Sequence, residues 1–251
     1  MEGPSLLIAE ENLKYFKNKQ VKSVTGNTKV GKERLVDKSV LDIFSWGKHL
    51  VFQFDEFAMR IHFMLYGTFT SEINGEQITG EYTKTGRLIR LELIFDGGNI
   101  RLYNCSIKFI EEKNAKEAYD FSKNIMSSKW NSSNALASVL SNPNEEIADV
   151  LLDQEIFAGV GNIIKNEVLS ITLTNPKTNV KDLSNKKIKE IIKVAYDFSR
   201  DFYKWRKKFV LKKHLIIYRK SICPHCGGKV IREKIGKRYR WSFYCPLCQP
   251  L

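Results

Sequence analysis

Residues 149–169 read DVLLDQEIFAGVGNIIKNEVL, two short apolar-periodic segments on either side of Phe157-Ala158-Gly159-Val160-Gly161. The spacing predicts two short helices joined by a glycine-rich turn. Two glycines this close suit positive φ values or a backbone that another group approaches closely. Asn162 is placed to start the second helix, whose first amides and dipole attract an anion. Locally, two accounts stand level: Asn162 caps the helix and the glycines turn the chain, or the turn binds phosphate.

Downstream, NKKIKEIIKVAYDFSRDFYKW (185–205) carries Ile188, Ile191, Ala195, Phe198 and Phe202 at helical spacing. Then come two knuckles, Cys223-Pro224-His225-Cys226 and Cys245-Pro246-Leu247-Cys248, separated by 18 residues. Four thiolates so spaced match a tetrahedral zinc site, and Gly227-Gly228 permits the tight turn after the first knuckle. Two disulfides are the alternative, but a chain without a secretion signal is expected where thiols stay reduced. His225 reads as a bystander inside its knuckle, and the isolated Cys105 as a small buried residue. Between the knuckles, KIGKRYRWSFY (234–244) reads as a basic β-hairpin. From Asp201 to Arg240 there are 14 Lys and Arg against 2 acidic residues, so most of the +13 net charge lies in one stretch. Charge concentrated there, interleaved with aromatics, suits a polyanion such as nucleic acid. A solvated face kept for solubility is the plainer account. With a zinc ribbon and a basic stretch downstream, phosphate binding at the glycine turn gains ground.

Upstream, residues 20–112 read as β-rich: HLVFQF (49–54), AMRIHF (58–63) and LIRLELIF (88–95), with Asp96-Gly97-Gly98-Asn99 as a hairpin turn. From about 115 the pattern turns helical, and Asn- and Ser-rich stretches near 127–134 and 141–145 separate elements. At the start, MEGPSLLIAEENL sets Glu2 before Gly3-Pro4, which break regular structure. Leu6, Ala9, Leu13 and Phe16 then fall on one face of a helix beginning around Ser5. A terminus held against a helix, with a carboxylate beside the amine, is unlike the loose termini of most chains. With 251 residues and 43% hydrophobic content, one large or two modest domains are expected. No run of 18 apolar residues and no signal-peptide pattern occurs, so no membrane partner is expected and the cytoplasm or nucleoid is the expected location.

Taken end to end, the chain resembles the formamidopyrimidine-DNA glycosylase and endonuclease VIII family of base-excision repair. The resemblance is carried by N-terminal Glu-Gly-Pro, the β region, AGVGN (158–162) and the closing FYCPLCQ (243–249). It implies an α+β multidomain fold: an N-terminal helix with a β-sandwich (1–115), a helix–two-turn–helix domain (125–215) and a zinc-ribbon finger (216–251). It also implies a catalytic N-terminal amine, here Met1, which attacks C1′ of a damaged nucleotide and forms a Schiff base. Glu2 matches the glutamate that assists proton transfer, and Lys48 in SWGKHL the β-domain lysine that binds phosphate beside the lesion. Asn162 matches the phosphate-binding asparagine and Arg240 the finger arginine. Met64, Leu65 and Tyr66 match the loop that fills the void left by a flipped base; without the family they read as ordinary strand packing, and Lys48 as a solvated strand lysine. One structural zinc on Cys223, Cys226, Cys245 and Cys248, and a monomer acting on double-stranded damaged DNA, complete the expectation.

The chain departs from the pattern at its first residue. Most members present an N-terminal proline after methionine removal, whereas Met before Glu is usually retained, because the aminopeptidase prefers small second residues. Met1 therefore offers a primary amine with an unperturbed pKa of about 7.7–8.0, partly neutral at physiological pH. Ser5 stands where relatives often carry glutamate, and Cys105-Ser106-Ile107 lacks the arginine-rich loop of the oxidised-purine branch. Void filling from a single loop is closer to the endonuclease VIII branch, which favours oxidised pyrimidines. The expected activity is a bifunctional DNA glycosylase and AP lyase. A non-catalytic damage-binding protein of the same fold is the alternative, and a zinc-ribbon nucleic-acid module without lesion specificity ranks behind both.

Overall fold

The computed structural model describes residues 1–80 and 86–251. Two compact units are present: Met1 with Ser5–Asp120, and Glu2–Pro4 with Phe121–Leu251. Helix α1 runs Gly3–Leu13, two residues earlier than the sequence predicts. Gly3-Pro4 does not break it, because a helix's first amides have no partner within the helix and proline's fixed φ suits that turn. Leu6, Ala9, Leu13 and Phe16 are all fully buried, as their spacing requires.

In the first unit, α1 covers the core of an antiparallel sheet with strands β1 (Val21–Thr25), β2 (Asp42–Trp46), β3 (His49–Gln53), β4 (Ala58–Ile73), β5 (Glu76–Thr79), β6 (Leu91–Phe95) and β7 (Gly98–Ile110). The order is β1-β6-β7-β4-β3-β2 with β5 on β4. The β-sandwich is thus one continuous sheet, and β4 and β7, at 16 and 13 residues, are long enough to serve both of its halves. Asp96-Gly97 makes the turn, since Phe95 pairs with Gly98. The LIRLELIF run starts its strand only at Leu91: Leu88 is exposed, and Glu92 is buried. Its carboxylate accepts from Arg101 Nε at 2.7 Å and Thr25 Oγ1 at 2.9 Å, which meets the cost of burying a charge.

The second unit holds α2 (Ser132–Leu140), α3 (Ile147–Leu151), α4 (Asn162–Ile171), α5 (Asn185–Lys207), a short α6 (Leu211–His214) and the hairpin β8 (Ile231–Ile235) and β9 (Arg240–Tyr244). The Asn/Ser-rich stretch near 127–134 is irregular as far as Asn131, which caps α2: its Oδ1 accepts from the amides of Ser133 and Asn134. Between α3 and α4 two turns follow one another, Phe157 N–H on the Asp153 carbonyl and Val160 N–H on Phe157's. Residues 123–125 brace them through Ala158 N–H to Lys123 O at 2.9 Å and Ile125 N–H to Ala158 O at 3.0 Å. Glu167 of α4 is buried and accepts three successive amides, Ile216, Ile217 and Tyr218, which fixes the chain's entry into the cysteine-bearing end. Asp149 of α3 accepts the Lys237 and Arg238 amides and so pins the tip of the β8–β9 hairpin. Among the described residues no helix is long and apolar enough to cross a membrane.

Candidate functional site

In the second unit, the glycine turn meets the chain's own start. Gly3 N–H donates to the Gly159 carbonyl at 2.8 Å. The Glu2 carboxylate lies across the first turn of α4, accepting from Ile163 N–H at 2.7 Å and Ile164 N–H at 3.2 Å. The sequence identified this helix end as an anion site, and the anion there is Glu2. Asn162 is the first helical residue and Gly161 occupies the cap position without a side-chain bond, so the carboxylate of residue 2 does the capping. Both roles foreseen for the two glycines occur: Gly159 has φ 105°, while Gly161 (φ −122°) is there for space. A Cβ on Gly161 would stand 2.3 Å from Glu2 Cδ.

Asn162 does not cap; its Nδ2 donates to the Trp241 carbonyl at 2.9 Å, and its Oδ1 is buried without a partner. Asn166, one turn on, donates to the same carbonyl at 3.2 Å and accepts Phe243 N–H at 2.7 Å. These bonds lay β9 along α4, with Arg240 exposed at the start of the strand. Asn162 and Arg240 thus share one strand edge, joined through Trp241.

Beyond it, the four cysteines are free thiols whose Sγ atoms all lie within 4.8 Å of one another. Cys223 and Cys248 are 3.8 Å apart, Cys226 and Cys245 3.6 Å. A tetrahedral ion held by sulfur at about 2.3 Å separates its ligands by about 3.8 Å, so the set fits a metal ion. His225 is outside it, its Nε2 lying 3.4 Å from Ser170 Oγ. Gln249 locks the second knuckle, accepting Cys245 N–H and donating to the Leu169 and Thr174 carbonyls.

In the first unit, Met1 packs against the edge of the core. Lys48 sits with Gly47 in the two-residue turn from β2 to β3, where Trp46 pairs with His49. His62 of β4 pairs with His49 and senses both expected catalytic cations: burial first, then the N-terminal amine, Lys48 and Arg60 hold its pKa below the ordinary imidazole value. His49 is pushed down to about 4 by burial, Arg60 and His62. The imidazole of His49 is therefore neutral at physiological pH. Motif reading missed His49, His62 and Arg60. The available signal was their period of two: Arg60, His62 and Met64 alternate with buried Met59, Ile61 and Phe63.

Met64, Leu65 and Tyr66 are 50%, 72% and 47% exposed, which rules out strand packing for them. The β4–β7 ladder jumps from Phe63↔Cys105 to Thr68↔Tyr103, so four residues of β4 face Asn104 alone. The surplus bulges outward, with Tyr66 at φ 61° and Asn104 at φ 45°. Asn104 Nδ2 holds the bulge at the Leu65 carbonyl, 2.7 Å away, and Arg87 holds it at the Tyr66 carbonyl. Cys105, beside it, is buried with its thiol pushed up to about 12, an inert residue as its isolation suggested. Residues 105–107 continue β7.

The formamidopyrimidine-DNA glycosylase H2TH domain matches residues 124–200. Endonuclease 8-like 3 of Xenopus laevis is 32% identical over 209 residues, 81% of this chain and 33% of the relative. Endonuclease 8-like L720 of Acanthamoeba polyphaga mimivirus is 27% identical and aligned over 99% of both chains. The chain belongs to the formamidopyrimidine-DNA glycosylase and endonuclease VIII family. The family fold extends throughout: a Lactococcus lactis formamidopyrimidine-DNA glycosylase, solved with DNA containing an AP site, superposes over the full length of both chains with a TM-score of 0.83 at 19% identity. The chain spans about a third of the length of the Endonuclease 8-like 3 family members it matches.

Proposed function

We propose that the protein is a bifunctional DNA glycosylase and AP lyase for oxidised bases in double-stranded DNA, with the Met1 amine as nucleophile. The observation that carries this is the anchoring of the terminus: Glu2 on two helix amides and Gly3 on Gly159 O hold the residues after Met1 in one place. A pre-positioned amine next to a carboxylate is what addition to C1′ requires. The neutral amine attacks C1′, the bond from C1′ to the base breaks, and the base leaves with a proton relayed by Glu2. The C1′–O4′ bond of the aminal then opens, O4′ taking a proton as the nitrogen loses one, and the resulting Schiff base acidifies the C2′ hydrogen, so the 3′ phosphate leaves by β-elimination and, after a second step, the 5′ phosphate by δ-elimination. Hydrolysis returns the amine. Lys48, Asn162 and Arg240 bind phosphates, and Met64, Leu65 and Tyr66 fill the space of the flipped base, their bulge giving an apolar wedge on a basic protein.

The test is borohydride trapping on an abasic duplex, with peptide mapping of the adduct. The expected adduct is on Met1. An adduct on Lys48 overturns the assignment of the nucleophile, and tight binding with neither adduct nor cleavage favours the damage-binding alternative. A panel of oxidised-base duplexes then identifies the lesion.

The metal we propose is zinc, held by Cys223, Cys226, Cys245 and Cys248 and purely structural. Cys245→Ser is expected to lower metal content from about one zinc per chain to a small fraction and to abolish duplex binding, because finger folding and metal binding are one equilibrium. Metal analysis beside a binding titration checks it, and full zinc content would contradict it.

A further inference from the structure

Lys165 lies on α4 one turn beyond Asn162 and is 1% exposed. An ammonium so placed loses its hydration and needs a counter-charge in return. Among the described residues no carboxylate accepts a hydrogen bond from it. Its Nζ donates to the Trp241 carbonyl at 3.2 Å and to Ser242 Oγ at 2.6 Å, both uncharged. The charges that face it are Asp149 of α3, Arg240 of β9 and Glu2. Asp149 is engaged by the Lys237 and Arg238 amides, Glu2 by those of Ile163 and Ile164, and Arg240 repels. Burial above all, with Arg240 adding to it against Asp149 and Glu2, brings the ammonium down to about 7.

The Trp241 carbonyl also takes the amides of Asn162 and Asn166. Three donors from one helix crowd an oxygen that has two lone pairs. A guanidinium precedes that residue in sequence, and Asn162 Oδ1 is buried without a partner among the described residues. The two carboxylates that face Lys165 are thus taken up by backbone amides, and its own hydrogen bonds go to neutral oxygens beside a guanidinium.

We propose that Lys165 is a positioning residue for phosphate: it holds the β9 backbone on α4 so that Asn162 and Arg240 face one phosphodiester, and that phosphodiester is its missing counter-charge. The proposal rests on the reading that Asn162 and Arg240 bind phosphate. An anion arriving beside Arg240 favours the charged form of Lys165, so the complex holds a proton that the free protein loses above pH 7. Affinity is then full below about pH 7 and falls as pH rises, by at most about tenfold per unit.

The test is equilibrium binding of the zinc-loaded full chain to a duplex carrying a tetrahydrofuran abasic analogue, from pH 6.5 to 8.5 at constant salt. The wild-type protein is expected to weaken about tenfold more over this range than Lys165→Met. The N-terminal amine and His62 are common to both proteins, so the difference belongs to Lys165. Lys165→Arg, always charged, is expected to restore affinity without restoring the slope. Should the Met variant fail to fold, Ser242→Ala removes the 2.6 Å acceptor and is expected to move the fall to lower pH. A wild-type slope in Lys165→Met, or an unmoved profile in a folded Ser242→Ala protein, overturns the proposal. Arg240→Ala separates the two levels. If it binds like wild type, the phosphate reading falls; if it binds weakly while Lys165→Met does not, only the role of Lys165 falls.

Discussion

A protein with one extra residue ahead of Met1 is expected to lose strand cleavage at abasic sites and to keep its affinity for the same duplex. The added residue turns the amine into an amide and moves the new terminus by about 3.5 Å. A misplacement of 1 Å can already cost about a hundredfold in rate. The chain cannot slide back to compensate, because Glu2 is held by two amides of α4 and Gly3 by the Gly159 carbonyl at 2.8 Å. Residues 2–4 stay where they are and the extension projects from them. Cleavage of an abasic duplex, borohydride trapping and a binding isotherm on the same preparation check the result. Undiminished cleavage with an adduct on an internal lysine would place the nucleophile elsewhere.

Glu2→Gln is expected to slow base excision by about 10²–10⁴-fold, the usual contribution of a positioned proton-transfer group. It should leave trapping on a pre-formed abasic site within about tenfold of wild type, since leaving-group protonation is no longer needed there. The substitution also touches stability. Both carboxylate oxygens accept helix amides, and a glutamine offers one acceptor and a donor that faces another donor. One buried amide left unsatisfied costs about 1–3 kcal/mol, so a lower melting temperature should accompany the kinetic loss. Gly161→Ala separates the two effects. Its Cβ would stand 2.3 Å from Glu2 Cδ and displace the carboxylate without altering its chemistry. Single-turnover excision of an oxidised base, run beside thermal melts, reads all three proteins. Wild-type excision by Glu2→Gln would remove the residue from the mechanism.

Local pattern served well where the structure depends on local spacing. Ile188, Ile191, Ala195, Phe198 and Phe202 are all buried on α5, and the knuckle spacing brings the four thiols together. It served less well wherever the partner is remote in sequence. The anion capping α4 is Glu2, 161 residues before the amide it binds, and no window around AGVGN contains it. The 64–66 bulge exists because β7 supplies one residue against four, a mismatch visible only once the strands are paired. Lys165 shares a helix with the motif but is buried by β9, so its sequence neighbours gave no warning. Glu92 is likewise satisfied by Arg101 and Thr25, on strands either side of its own. The family resemblance, drawn from several motifs in order, singled out residues 64–66, whose bulge periodicity could not foresee.

The seat of Glu2 on α4 also sets a timetable for biosynthesis. Glu2 leaves the ribosome 161 residues ahead of the amide that anchors it. At about 5–20 residues per second that interval is roughly 10–30 s. Throughout it the amino end has no fixed position, and an amine without one is an ordinary solvated amine. On the proposed mechanism, a chain that lacks the helical half holds no pre-positioned amine, and cleavage is expected only once that half is made.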